Sequence, residues 1–285
     1  MKKLSNNELE SLSFKVREHV IRMSGMGGCF LGASLSCVDA VVYLYNNVMN
    51  FDPSNIKDPD RDIFFLSKGH DVPAIYGLFA ELGIIEKRRI DNHLSIEDKI
   101  YWHPNMSIPG VEYYSGSLGH LPSVSVGVAK ASKLDNKSNK IFVLIGDGEI
   151  DEGSVWEAML VAAANKLDNL VFIMDRNFFQ ANGRTEDILP IEPLEDKFKS
   201  FGLDTIRTNG HSFDNLKKAF ESVDYNDKKP SIMILDTIRG KGLPSIEERA
   251  DRWFCNFTSE EVEELLLELK GNHVANLESD TLIVR

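Results

Sequence analysis

Ile141-Phe142-Val143-Leu144-Ile145-Gly146-Asp147-Gly148 joins an unbroken apolar run to a Gly-Asp-Gly triplet. Leu170-Val171-Phe172-Ile173-Met174 is a second such run, and Asn177 follows it. A strand covered on both faces reads as continuous apolar sequence, which is the pattern of a parallel sheet. Between the runs, Trp156, Met159, Leu160, Ala163, Ala164 and Leu167 recur at helical spacing. The segment therefore reads as a βαβ unit with a right-handed crossover.

Ligands of an open parallel sheet sit beyond the carboxyl ends of its strands, and Asp147 and Asn177 both fall there. Neighbouring strands lie about 4.8 Å apart and Mg²⁺ holds oxygen at ~2.1 Å, so the two short side chains can share one ion. Such an ion commonly completes its octahedron with waters and substrate phosphates. Gly146 and Gly148 let diphosphate oxygens approach the backbone. A helix expected from near Ser154 aims its free N–H groups the same way. Taken alone, the triplet fits equally well an aspartate that merely caps that helix.

Outward from this unit, Ser231 to Leu235 and Gly202 to Thr208 read as further strands. Ser5 to about Met23 is an amphipathic helix with a Ser5/Glu8 capping box and Leu9, Leu12, Val16, Val20 and Met23 on one face. The small-residue stretch Ser24 to Ser34 reads as a loop, and Ser36 and Asp39 as the start of a second helix carrying Val38, Val41, Val42 and Tyr45. Ser67-Lys68-Gly69-His70 precedes a third helix, Val72 to Leu82, and His103 to His120 is too rich in Gly, Pro, Ser and Tyr to be regular. Thr258 and Glu261 cap a last helix to Lys270, stopped at Gly271. The fold expected is α/β, an open and mostly parallel sheet with helices on both faces. With no repeat and no Pro- or Ser-rich linker, residues 1–285 are expected to form a single domain.

The 285 residues are 42% hydrophobic and 27% charged, with a formal charge of −12. Binding to nucleic acid or anionic membrane calls for clustered positive charge, so neither partner is expected. No apolar stretch approaches the ~20 residues of a membrane helix. The polar start, Met1 to Glu8, lacks the apolar segment of a signal peptide. Cys29, Cys37 and Cys255 form no metal-binding or CxxC spacing and read as reduced thiols of a cytoplasmic protein.

Gly146-Asp147-Gly148, then 28 residues, then Asn177 resembles the thiamine diphosphate and metal motif of thiamine-dependent enzymes. The surrounding words resemble those of the transketolase family: Gly146 to Gly153, Val155-Trp156-Glu157-Ala158 and Asn165 to Leu170. Further likenesses, in the same order, are Leu66 to His70, His103-Pro104, Gly116-Ser117-Leu118-Gly119 and Arg239-Gly240-Lys241-Gly242. The likeness runs from about residue 10 to about residue 270. It implies that Asp147, Asn177 and the main-chain oxygen of Phe179 hold Mg²⁺ or Ca²⁺. It puts His70 and Gly148 against the diphosphate, Gly116, Ser117 and Leu118 along the cofactor rings, and Lys241 near the cofactor. His103 would face the substrate carbonyl, and Glu152 would lie at a subunit interface.

Family members continue into a second domain, which binds the pyrimidine ring and supplies the glutamate that activates the cofactor. The likeness stops short of it, so the resemblance implies the diphosphate-binding half of a split enzyme, whose partner is a separate C-terminal, pyrimidine-binding subunit. Two departures bear on substrate: Met26 and Phe254 stand where the family has histidines that grip sugar hydroxyls. A thioether and a phenyl ring cannot replace those hydrogen bonds. Asn105 and His120 also differ from the family. The function expected is transfer of a two-carbon ketol or acyl unit from a ketose or 2-oxo acid to an aldehyde or ketone. The alternatives are a 2-oxo acid decarboxylating or dehydrogenase component and a non-catalytic paralogue.

Overall fold

The two apolar runs are adjacent strands at the middle of a parallel sheet. The structure, a computed structural model, describes residues 3–279 and the backbone of residues 281 and 282. The chain begins with α1 (Asn6–Ser24), α2 (Leu31–Ser36) and α3 (Val38–Tyr43), then β1 (Ile63–Leu66), α4 (Val72–Glu81) and α5 (His120–Leu134). Next come β2 (Ile141–Gly146), α6 (Gly153–Ala164), β3 (Leu170–Arg176) and a short hairpin of β4 (Phe179–Gln180) and β5 (Gly183–Arg184). After α7 (Thr185–Ile188) and α8 (Leu194–Ser200) come β6 (Asp204–Asn209), α9 (Phe213–Glu221), β7 (Ser231–Asp236), β8 (Phe254–Cys255), α10 (Ser259–Leu269) and β9 (Thr281–Leu282).

The main sheet has five strands in the order β1-β2-β3-β7-β6, all parallel. Ile145 pairs with Met174 and Gly146 with Asp175, so Asp147 and Asn177 leave the same edge side by side. Successive strand residues point to opposite faces, and the runs feed two cores. Phe142, Leu144, Val171, Ile173, Met233 and Leu235 pack with residues of α1, α3, α4, α9 and α10. Val143, Ile145, Phe172, Met174, Ile232 and Ile234 pack with α5, α6 and α8. Full burial of such side chains stabilises by about 1.5–3 kcal/mol each, which is why neither run alternates with polar residues.

Several sequence expectations need adjustment. Ser5 and Glu8 do form the capping box of α1, and Thr258 and Glu261 that of α10. The expected loop to Ser34 ends earlier, because α2 begins at Leu31. Its small residues serve close packing: a Cβ on Gly32 would meet Arg239 Nε and Arg252 O, each at 3.0 Å. The fourth strand spans Asp204–Asn209, and β1, only four residues between polar neighbours, carries no clear signal in the sequence. In α6, Leu160 is half exposed, because the buried face centres on Val155, Met159 and Ala162.

Candidate cofactor site

Asp147 does not cap α6. A 3₁₀ turn, Gly148–Asp151, intervenes, and the helix begins at Gly153. The Asp147 carboxylate is instead locked by four donors. Oδ1 accepts from Gly148 N at 2.8 Å, and Oδ2 from Phe178 N at 2.8 Å, Arg176 Nη1 at 2.9 Å and Thr185 Oγ1 at 3.3 Å. Burial pushes this carboxyl up to about 6, against the opposing pull of Arg176. Asn177 Oδ1 accepts from Phe179 N at 3.0 Å, while its Nδ2 donates to Asp175 Oδ2 at 3.0 Å and Ser36 Oγ at 3.4 Å. Those donations fix the amide orientation, with Oδ1 as its acceptor.

Asp175 anchors this corner. It also accepts from Ser36 Oγ at 2.5 Å, from Lys68 Nζ and from Thr237 Oγ1, and Lys68 pairs in addition with Asp71 at 2.5 Å. Glu149 staples three loops together: its carboxylate accepts from Ser67 Oγ, Gly119 N at 2.8 Å and Gly146 N at 3.1 Å. These buried, charge-assisted bonds hold the strand ends rigid.

A cavity of about 400 Å³ opens over these strand ends. His70, His103, Gly116, Leu118, Asp147, Gly148, Asn177 and Phe179 all line it. The turn at Gly116, at φ +139°, sits against His103, whose Cδ2 is 2.7 Å from where a Cβ would stand. Burial, reinforced by the charges of Lys68, His103 and Arg239, pushes His70 down to about 3. Burial also lowers His103. Both imidazoles are neutral at neutral pH and can each donate one proton and accept another.

The remaining expected residues lie elsewhere. Ser117 does not line the cavity, and its hydroxyl is 3.4 Å from His120 Nε2. Glu152 is exposed at the start of α6, against Gly119. Lys241 belongs to a separate groove with Arg17 and Asp39, its Nζ 3.6 Å from Glu247. The wall is instead formed by Arg239, with the positive-φ turn at Gly240 (φ 78°) standing between it and Lys241. Met26 likewise stands off in a groove with Arg22 and Gly25, and Phe30, four residues on at the entrance to α2, fills the wall. Phe254 stands behind it, ring to ring with Phe30 at 5.2 Å and with Trp102 at 5.5 Å. Phe30 also meets Trp253 at 5.0 Å and His70 at 5.3 Å.

Arg239 is the principal residue that the sequence reading passes over. It is 1% exposed. Nη1 donates to Ala181 O at 2.6 Å, yet Nε and Nη2 have no hydrogen-bond partner among the described residues. Burial lowers it to about 10, which leaves it cationic at neutral pH. A buried cationic N–H without an acceptor is costly, so an anion here would relieve that cost. The clue in the sequence is its place one residue ahead of the Gly-Lys-Gly word.

Parallel strand ends, a carboxylate and an amide oxygen from neighbouring strands, and an anion-seeking arginine define a diphosphate-binding α/β domain. The model of the transketolase thiamine diphosphate-binding domain matches residues 20–274. An apulose-4-phosphate transketolase subunit of Phocaeicola vulgatus is 38% identical, over 88% of this chain and 89% of that protein. The 6-deoxy-6-sulfo-D-fructose transketolase subunit SqwG of Clostridium sp. is 38% identical over 76% of this chain and 79% of its own length. Among solved structures, transketolase from Campylobacter jejuni superposes with a TM-score of 0.85 at 26% identity, covering 95% of this chain but 44% of that one. The chain belongs to the transketolase family of thiamine diphosphate-dependent transferases.

Proposed function

We propose that the chain is the diphosphate-holding subunit of a two-polypeptide enzyme that moves a two-carbon ketol or acyl unit from a ketose or 2-oxo acid to an aldehyde or ketone. One observation carries this: Asp147 and Asn177, from adjacent strands, share a cavity with an arginine whose buried N–H groups lack acceptors. Asp147 Oδ1 and Asn177 Oδ1 are hard oxygen donors, each engaged by a single backbone N–H. Among the described residues no three His, Cys, Asp or Glu side chains could hold a metal, so Mg²⁺ or Ca²⁺ here would rely on these two oxygens and the Phe179 carbonyl, a donor set suited to such ions. His70, Gly148 and Arg239 would take the diphosphate, and Gly116 and Leu118 the rings.

Thiamine diphosphate, when bound, supplies the carbanion chemistry that breaks and forms the C–C bond. The chain's own part is positional. Neutral His103 can take a proton from a substrate hydroxyl or return it to a nascent alkoxide. Phe30 and Trp253, ring to ring at 5.0 Å, give the cavity an apolar stretch of wall.

Both relatives carry names denoting subunits, which supports a separate partner bearing the pyrimidine site and the activating glutamate. Exposed Glu152 is the residue we assign to that interface. Phe30, backed by Phe254, makes this stretch of wall apolar, which favours a donor with fewer hydroxyls to satisfy, such as a deoxy ketose or a 2-oxo acid. The test is turnover by the chain co-purified with its partner, with Mg²⁺ and thiamine diphosphate, offering pyruvate and xylulose 5-phosphate in parallel. Turnover that needs both additions supports the reading, and none with any donor refutes it. Efficient use of xylulose 5-phosphate sinks the changed-donor part alone.

A further inference from the structure

The turn that presents Arg239 leaves β7 at Asp236 and runs to Gly242. On the cavity side it is tied by Thr237, whose N–H donates to Arg176 O at 3.1 Å. On its other side stands a relay of three charged or polar side chains. Ile238 N donates to His211 Nε2 at 2.8 Å. That ring nitrogen therefore carries no proton, and Nδ1–H donates to Asp39 Oδ2, also at 2.8 Å. Asp39 in turn receives both ends of the Arg17 guanidinium, Nη1 at 2.9 Å and Nη2 at 2.7 Å. Arg17 Nε then donates to Lys241 O at 3.1 Å. The relay leaves the turn at residue 238 and rejoins it at residue 241, bracketing Arg239.

We infer that His211 and Arg17, both gripped by Asp39, are positioning residues that aim the Arg239 guanidinium into the cavity without touching what binds there. Arg239 makes one hydrogen bond of its own, to Ala181 O, and lies over the Phe179 ring at 5.0 Å, so the rest of its aim is set by the backbone that carries it. Asp39 is 6% exposed and Arg17 8%. Burial by itself would raise the Asp39 carboxyl, but Arg17 and His211 hold it well below the usual carboxylate range. The clamp is thus a fixed ion pair with a single-tautomer histidine, formed by α1, α3 and the loop before α9. This inference rests on the reading of Arg239 as part of the diphosphate seat.

The test uses the two-polypeptide complex, thiamine diphosphate as the titrant and Mg²⁺ in excess. Losing one backbone hydrogen bond weakens an interaction roughly 3- to 10-fold, or about 0.7–1.4 kcal/mol. His211→Leu should weaken cofactor binding by about that factor. His211→Asn, which keeps a donor for Asp39 but is too short to reach Ile238 N, should do the same with the fold preserved. His211→Gln, whose Oε1 stands in for Nε2, should bind within about 2-fold of the parent. In an Arg239→Ala background, His211→Asn should have no further effect, since coupled residues are not additive.

A second readout needs no cofactor. The Ile238 amide should lose hydrogen-exchange protection in His211→Asn and keep it in His211→Gln. If the two substitutions multiply independently, or His211→Asn binds like the parent, the positioning role is overturned while the cofactor reading stands. If the parent complex binds no thiamine diphosphate at all, it is the cofactor reading that falls, whatever the exchange data show.

Discussion

Arg176 Nη1 lies 2.9 Å from Asp147 Oδ2, so the carboxylate at the heart of the cavity is neutralised from behind before any ligand arrives. Arg176 has no exposed side-chain surface and also reaches Glu186 at 2.6 Å. Oδ1, outside that pairing, accepts only from Gly148 N, at 2.8 Å, and is the oxygen that the proposed cation would use. The carboxylate thus shares its charge with Arg176, while burial keeps its proton affinity high.

That proton affinity sets a pH dependence. The folded value of Asp147, about 6, lies above the ordinary value near 3.9. Its contribution to stability is therefore full below the ordinary value and declines as pH rises through about 6. A cation competes with the proton. Mg²⁺ affinity, measured by calorimetry with thiamine diphosphate present, should be flat above about pH 7 and fall about tenfold per pH unit below about pH 6.

Replacing Arg176 by Met should destabilise the chain by about 3–5 kcal/mol, because a buried carboxylate loses its partner. Urea unfolding at neutral pH gives that number. The same variant should need a higher pH to bind Mg²⁺, since Asp147 would hold its proton more tightly without the guanidinium.

Lys241→Ala and Arg239→Ala should separate cleanly. Lys241 stands outside the cavity beside Glu247, so its loss should leave thiamine diphosphate affinity within about 2-fold. Losing Arg239 removes a buried charge aimed at the anion, and charge-assisted bonds contribute about 1.5–3 kcal/mol. Affinity should fall about 10- to 100-fold in the same titration.

Gly116→Ala should impair turnover more than cofactor binding. The glycine stands at φ +139°, and its new methyl would meet the His103 ring at 2.7 Å. Displacing that imidazole costs proton transfer, worth about 10²–10⁴ in rate when well placed. A steady-state assay in which kcat holds while only the apparent cofactor affinity drops would contradict this role for His103.

Much of the fold is legible because its signals are local. Unbroken apolar runs mark doubly covered parallel strands, the helical period marks α6 between them, and Gly-Asp-Gly and Asn177 follow the strand ends by covalent necessity. The small-residue stretch before Ser34 misleads for the opposite reason: Gly32 is small because Arg239 and Arg252, more than two hundred residues away, press on it. Strand β1 escapes notice because a four-residue edge carries too short a pattern.

Covalent order alone dictated which residues stand at the strand ends, and with them the family and the corner we assign to a diphosphate. Which member of a motif faces inward was decided only by packing. Arg239 rather than Lys241, and Phe30 rather than Met26, reach the cavity because backbone direction at a turn or helix entrance is set by contacts far along the chain. The relay from Arg17 through Asp39 to His211 joins residues on three distant segments, and no pattern in one dimension encodes their meeting. Hydrogen bonds act through space, and the order of residues constrains that space only once the core has closed.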